Sequence, residues 1–345
     1  MISAAIAVQQ WAARMVLLTA LTIAQQLSAA AIPAPSTVLL NPRTQVVIAS
    51  FVERLVDGRY RFAKVEDVHG MDETPDDLLL RAPDWLAIYL RRDEQYLLAF
   101  SNYRPNPRFL KDQIIDTDGP RMINAFGLEP ALFRNAPGLD DALLHSPDAL
   151  QSASFVARVV AGLESTDTQL QNFYAAEVTQ LGELRKQQGP VLIAAIKGLI
   201  GNPYGHPSAR AGLLRLAASQ PQIYSREFLA STLSMILQHA PLEGYQDQRP
   251  RSGELVRIAL ELTIKDSLKI STATLERLIS CDSAALSEAA LLAIRQLDPK
   301  RERDAATAAL AQTLLPVTTR EFLLDHIRRL DLAAESTLLR KPDTN

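Results

Sequence analysis

The apolar pattern of this chain changes period once, near Pro130, and that change limits what it can fold into. Upstream, Thr44-Gln-Val-Val-Ile-Ala-Ser-Phe-Val-Glu53 is rich in β-branched and aromatic residues, and Arg59 to Val68 alternates apolar with polar side chains after an Asp57-Gly58 turn. Further short strands are expected at Leu78–Arg81, Trp85–Leu90, Tyr96–Phe100, Gln113–Asp116 and Met122–Phe126. Downstream, Ala131–Arg134 and Asp140–Leu144 read as short helices, and from Pro147 apolar residues recur at helical spacing. Gly189-Pro190, Gln220-Pro221, Ala240-Pro241 and Asp298-Pro299 break that pattern into successive helices between 147 and 330. Ser225 and Thr319 stand where N-caps belong, and Thr318-Thr-Arg-Glu321 fits a capping box. The expected fold class is α+β: a small antiparallel barrel or sandwich over 36–135, an all-α solenoid-like unit over 147–335, and a tail over 336–345.

The first 31 residues read as an address rather than as part of either unit. They hold one charge, Arg14, followed by the apolar run Met15–Ala24, then Gln25-Gln26 and the small residues Ser28-Ala-Ala-Ala31. That order is expected of a cleaved secretory signal peptide. The run stops well short of the roughly 20 apolar residues of a spanning helix. Export of the mature chain, to a Gram-negative periplasm, is the expected localisation, with a retained membrane anchor as the rival. No cysteine follows the apolar run that could carry a lipid, and no arginine pair marks a folded-export signal.

Composition narrows the function classes. An apolar fraction of 47% argues for packed cores. The formal charge of −3, with both signs interspersed, gives no reason to expect nucleic acid as a partner. Cys281 is the sole cysteine, so stability rests on packing without an internal disulfide, and its apolar surroundings favour a buried thiol.

Within the helical half, Gly212-Leu-Leu-Arg-Leu-Ala217 lines up with Glu254-Leu-Val-Arg-Ile-Ala259 and more loosely with Ala290–Arg295, at offsets of 42 and 36 residues. Ser225-Arg-Glu-Phe-Leu229 recurs as Thr319-Arg-Glu-Phe-Leu323. Over about 190–331 this pattern resembles HEAT or armadillo-type repeats, in which a helix pair buries its apolar face only by stacking on a neighbour. In the β half, Tyr60-x-Phe-x-x-Val-Glu-Asp-Val-His-Gly70, Leu78-Leu-Leu80 and Tyr96-Leu-Leu-Ala-Phe100 are similar to the first strands of netrin-like domains. That resemblance implies an OB-type barrel over about 44–126. Such domains often carry paired cysteines, which this chain lacks, so no protease-inhibitor role is transferred.

No run matches H-E-x-x-H, G-x-S-x-G, S-x-x-K, a P-loop or G-x-G-x-x-G. None of His69, His145, His206, His239 and His326 is followed by a second histidine or a cysteine at i+3 or i+4, so neither a metal nor any other cofactor is expected. Asp112, Asp116 and Asp118 precede Gly119 in a run that a calcium ion or a plain Asp-x-Asp-Gly turn would explain, and the turn is the simpler reading. Trp85 and Tyr89 are expected to pack the barrel.

Two loops supply candidate binding residues. Asn102-Tyr-Arg-Pro-Asn-Pro-Arg108 sets Tyr103, Arg104 and Arg108 on a stiff Pro-x-Pro backbone suited to an anionic partner, or to neutralising Asp112 and Asp116. Gly201-Asn-Pro-Tyr-Gly-His-Pro207 joins two helices and carries Tyr204 and His206. The expected function is non-catalytic binding of a protein or peptide partner in the cell envelope. The alternatives are a hydrolase using carboxylates such as Asp116, Asp118 or Glu53 between the units, and a scaffold tethered by an uncleaved 1–31 segment. Oligomeric state is not encoded in any of these patterns.

Overall fold

Tyr96-Leu-Leu-Ala-Phe100 shows no alternation of apolar and polar residues because both faces of its strand are covered. In the computed structural model, which describes residues 34–339 apart from 72, 107–108, 127–128, 145–152, 187 and 246–250, this strand is central to a sheet between two apolar cores. The segment expected as a leader, together with Arg108 and His145, lies outside the described residues. So do the first turns of the helix expected from Pro147 and the last residues of the tail.

The strands are β1 (Gln45–Arg54), β2 (Tyr60–His69), β3 (Asp77–Leu80), β4 (Gln95–Ser101), β7 (Arg121–Met122) and β10 (Leu132–Arg134), all antiparallel in the order β10-β4-β1-β2-β3 with β7 also on β4. Val47 faces Leu98 across β1 and β4, and Tyr60 faces Leu80 across β2 and β3. Two hairpins stand off the sheet: β5 (Tyr103–Asn106) with β6 (Phe109–Ile115), and β8 (Asn124–Phe126) with β9 (Glu129–Pro130). Beyond β3, Arg81 N donates to Pro120 O at 2.9 Å and Met122 N donates to Arg81 O at 2.9 Å. This parallel bridge ties the β3 edge to β7, so the sheet curls, but no ladder closes it into a barrel.

Period two then sorts the side chains. Val47, Ala49, Phe51, Tyr60, Phe62, Tyr96, Leu98, Phe100 and Leu132 pack one core with Leu78, Leu80 and Leu86. Val46, Leu97, Ala99 and Phe133 point the other way, into a core continuous with the helices. Phe133 meets Phe173 there edge-on, with centroids 5.8 Å apart.

Two local expectations are corrected. Ala131–Arg134 supplies the strand β10 rather than a helix, since Leu132 and Phe133 must enter opposite cores. Trp85–Leu90 is not a strand: Asp84–Ile88 forms a 3₁₀ turn after Pro83, and Trp85 packs its ring edge-on to Tyr89 at 6.0 Å.

The helices are α1 (Pro35–Leu39), α2 (Leu139–Leu143), α3 (Ala153–Leu163), α4 (Thr168–Gln180), α5 (Gly182–Lys186), α6 (Pro190–Gly201), α7 (Pro207–Ala218), α8 (Arg226–His239), α9 (Arg251–Lys265), α10 (Thr272–Ile279), α11 (Ala284–Leu297), α12 (Arg301–Leu310) and α13 (Val317–Leu339). Consecutive helices pack as pairs: α3 with α4, α6 with α7, α8 with α9, α10 with α11, α12 with α13. One row runs α4-α7-α9-α11-α13, each helix touching the next; in the facing row α3 meets α6, and α8 meets α10, which meets α12. This is a two-layer, solenoid-like stack. The pairs are stitched by side chain to carbonyl bonds, such as Arg226 to Asp266 O at 2.9 Å and Arg277 to Leu237 O at 2.8 Å.

The repeated hexapeptides fall on α7, α9 and α11, successive members of one row, where Leu213, Leu255 and Leu291 occupy equivalent buried positions. The Ser225 and Thr319 pentapeptides are not equivalent. Ser225 caps α8, its hydroxyl accepting from Phe228 N at 3.2 Å. Thr319 lies inside α13 and is fully buried, so it is not the N-cap expected there.

Candidate functional site

Pro203 and Pro207 flank the connector between α6 and α7, and Pro241 follows the end of α8. Proline holds φ near −65° and cannot donate from its backbone, so such segments bend away from regular helix and leave room beside it. Here they border a cleft of ≈ 410 Å³ between successive helix pairs. Its walls are apolar: Met235, Ile236 and Ala240 from the end of α8, and Leu255 and Val256 from α9.

The polar members of the lining are Arg210 and His239. Arg210 sits one turn into α7 and is 7% exposed. It occupies the apolar stripe of its helix, at i, i+3, i+4 and i+7 with buried Leu213, Leu214 and Ala217. Its Nε donates to Ile200 O at 3.0 Å, near the end of α6. No carboxylate pairs with it among the described residues; Glu254, next to the lining residue Leu255 in sequence, is held by Arg215 at 3.2 Å. Burial lowers the Arg210 pKa, yet a guanidinium remains charged in proteins. His239 lies exposed at the rim, with Nδ1 2.8 Å from Met235 O. A buried cation facing an apolar cleft is chemically a seat for an anion with an apolar body.

The residues picked from sequence are placed differently. Tyr103 and Arg104 sit on β5, where Arg43 lies over the Tyr103 ring at 5.1 Å and Ser101 Oγ accepts from Tyr103 N at 3.0 Å. Arg104 is exposed; Arg108 lies outside the described residues. Tyr204 is exposed on the 201–207 connector, whereas His206 is buried and its amide donates to Gln171 Oε1 at 2.9 Å. The connector therefore contributes prolines to the cleft, while its tyrosine faces solvent and its histidine turns inward. Arg210, the buried charged group in the cleft lining, was not among those candidates. Its signal in sequence was an arginine in step with a leucine stripe.

The carboxylates considered for acid–base chemistry are held by arginines. Asp116 accepts from Arg121 Nε at 2.8 Å and from Asp118 N at 3.1 Å, in the Asp-x-Asp-Gly turn expected there. The Asp118 amide, the largest influence, holds the Asp116 carboxyl below its usual range, against some loss of hydration, and Arg121 adds to the effect. Arg121 thus pairs directly with Asp116, and Arg104 adds a weaker attraction. Asp118 also pairs with Arg121, at 3.2 Å, and Glu53 pairs with Arg61 at 3.3 Å. Among the described residues, no group of three or more His, Cys, Asp or Glu side chains could hold a metal ion.

No protein-family model, curated protein or solved structure matches this chain.

Proposed function

We propose that this protein is an exported, non-catalytic binding protein that holds a polypeptide partner in the cell envelope, with the α7-α8-α9 cleft as its principal contact. One observation carries the reading: an apolar cleft between stacked helix pairs holds a buried arginine that no acidic side chain among the described residues neutralises. Stacked helix pairs offer extended grooves to polypeptides, and clefts of this size bind by apolar contact with a few fixed polar groups. The leader-like residues 1–31 support export. Among the described residues no helix is long and apolar enough to cross a membrane, so a tethered form would depend on that segment.

Binding of the full chain to an array of apolar peptides tests the partner class, with Met235→Asp as the control. Met235 is half-buried in the cleft wall, so the change alters the lining without opening a core. Peptide binding that Met235→Asp abolishes supports the reading; binding to no peptide, or binding indifferent to the substitution, overturns it. N-terminal sequencing of the protein recovered from its native host tests export: a start near residue 32 supports cleavage, and an intact Met1 favours the tethered scaffold.

A further inference from the structure

We infer that the α7-α8-α9 cleft is a carboxylate-recognition site, taking a monocarboxylate with an apolar tail so that the acid group meets Arg210 and the tail lies along Met235, Ile236, Leu255 and Val256. This rests on the cleft being the binding site proposed above, and it names the chemical class bound there.

The argument starts from charge. Arg210 is more than nine-tenths buried, and a buried charge is stable in a fold only when paired or fully hydrogen-bonded. Guanidinium offers five N–H donors, and one is used on Ile200 O. That bond secures the end of α6, where positive charge also suits the helix dipole. Among the described residues no acid meets the terminal fork, on a side chain that lines the cleft. Elsewhere in the helical stack a buried acid and its arginine meet in full: Arg295 holds buried Glu302 at 2.6 and 2.5 Å. Two further clefts contain acid–arginine pairs: Arg121, lining one, serves Asp116 and Asp118, and Arg301 meets Glu276 at 3.4 Å in the other. Arg210 lines its cleft with no such pair among the described residues.

The fork fits a carboxylate through two parallel N–H···O bonds, and a phosphate equally well by shape. The walls decide between them. A phosphate or other dianion needs several donors and water, while this lining beyond Arg210 and His239 is aliphatic, proline and methionine. A single negative charge with an apolar body satisfies both halves of the cleft. A peptide ending in an apolar residue and a free medium-chain fatty acid both present that chemistry.

Isothermal calorimetry on the full chain separates the possibilities with matched probes: octanoate against octanamide, and an apolar tetrapeptide acid against its C-terminal amide. The expected result is saturable binding of at least one acid, with its amide at least about tenfold weaker, the scale of one charge-assisted contact. Octanoate alone showing that pattern identifies a free acid and overturns the polypeptide reading while keeping the carboxylate assignment. The peptide acid showing it identifies a chain terminus and keeps both. Amides that bind as tightly as their acids, or no saturable binding of either acid, overturn the carboxylate assignment. Peptide amide binding that Met235→Asp abolishes would still preserve the polypeptide reading. Arg210→Lys, which keeps the charge but loses the fork, is expected to weaken the acid several-fold and leave the amide unchanged.

Discussion

Ser36 and Glu177 are 141 residues apart, yet the Ser36 amide donates to Glu177 Oε1 at 2.5 Å, so a carboxyl from α4 caps the first helix of the fold. Ala34 stands at the N-cap of α1 and has no side-chain acceptor, leaving that task to Glu177. The side chain is fully buried, and Oε2 has no hydrogen-bond partner. Burial, the dominant influence, pushes the carboxyl up to about 7 against the partial relief from Ser36.

This makes stability fall with rising pH. Below about 4.5 the group is protonated in both folded and unfolded chains; between 4.5 and about 7 the folded chain keeps a proton that the unfolded chain has lost. Its stabilising share is complete below that window and gone above it, a change on the order of 3 kcal/mol. Glu177→Gln keeps a carbonyl for Ser36 and removes the titration. Urea unfolding at pH 4 and 8 is expected to show the variant roughly 3 kcal/mol more stable than the parent at pH 8 and nearly equal at pH 4. The same slope in both proteins would refute a titrating Glu177.

Glu302 behaves in the opposite sense. Loss of hydration raises its carboxyl, but the bonds from Arg295 and from His326 Nε2, the latter at 2.9 Å, outweigh that and hold it below its ordinary value. Stability from this cluster is therefore present above the unfolded carboxylate range and is lost as pH falls through the folded value. Glu302→Ala is expected to cost about 2–3 kcal/mol at pH 7, less than for a fully enclosed pair because Arg295 is half exposed. The cost should shrink toward pH 3. Denaturation midpoints at the two pH values measure it, and equal losses would show that packing rather than charge is responsible.

The fold was legible where periodicity and backbone chemistry agree. Pro190 and Pro207 begin the helices α6 and α7, and Ser225 caps α8, because these residues act through their own backbone geometry. Phe133 and Thr319 were misread because their states are set by distant partners: the two cores around β10, and the carbonyl of Cys281 beside α13. The candidate site was legible only at its edges. The prolines of the 201–207 connector marked a break, but the weight of Arg210 comes from its having no acidic partner among the described residues, and only the folded chain shows which charges meet.

Thr319 supplies its own test. Its Oγ1 donates to Cys281 O at 2.7 Å from within α13, linking the last helix pair to the one before. Thr319→Val keeps the shape and leaves that carbonyl without its side-chain donor, at an expected cost of about 1–2 kcal/mol. Thr319→Ser restores the donor at the expense of one methyl. Recovery of less than half the loss on thermal unfolding would mean that the methyl, not the hydrogen bond, holds the junction.

Cys281 is fully buried, and burial raises its thiol, so the reactive thiolate is scarce in the folded chain. A thiol reagent at pH 8 is expected to titrate it only after denaturant is added. Rapid modification of the native protein would place the sulfur at the surface.

Gly162 gives the sharpest packing prediction. Within a helix such as α3, replacing glycine by alanine ordinarily stabilises by about 0.5–1 kcal/mol, since glycine loses more backbone freedom on folding. Here a Cβ would lie 1.8 Å from Cδ2 of Tyr174 in α4. That ring cannot readily withdraw: its hydroxyl donates to Ala142 O at 2.5 Å and its edge packs on Phe173 at a centroid distance of 5.2 Å. The clash should therefore reverse the usual sign, and Gly162→Ala is expected to lose about 2–3 kcal/mol. Tyr174→Leu in the same chain removes the obstructing ring, so a double-mutant cycle should show Gly162→Ala costing at least about 1 kcal/mol less in that background. Strict additivity of the two changes would mean that α3 and α4 do not approach as closely as the glycine implies.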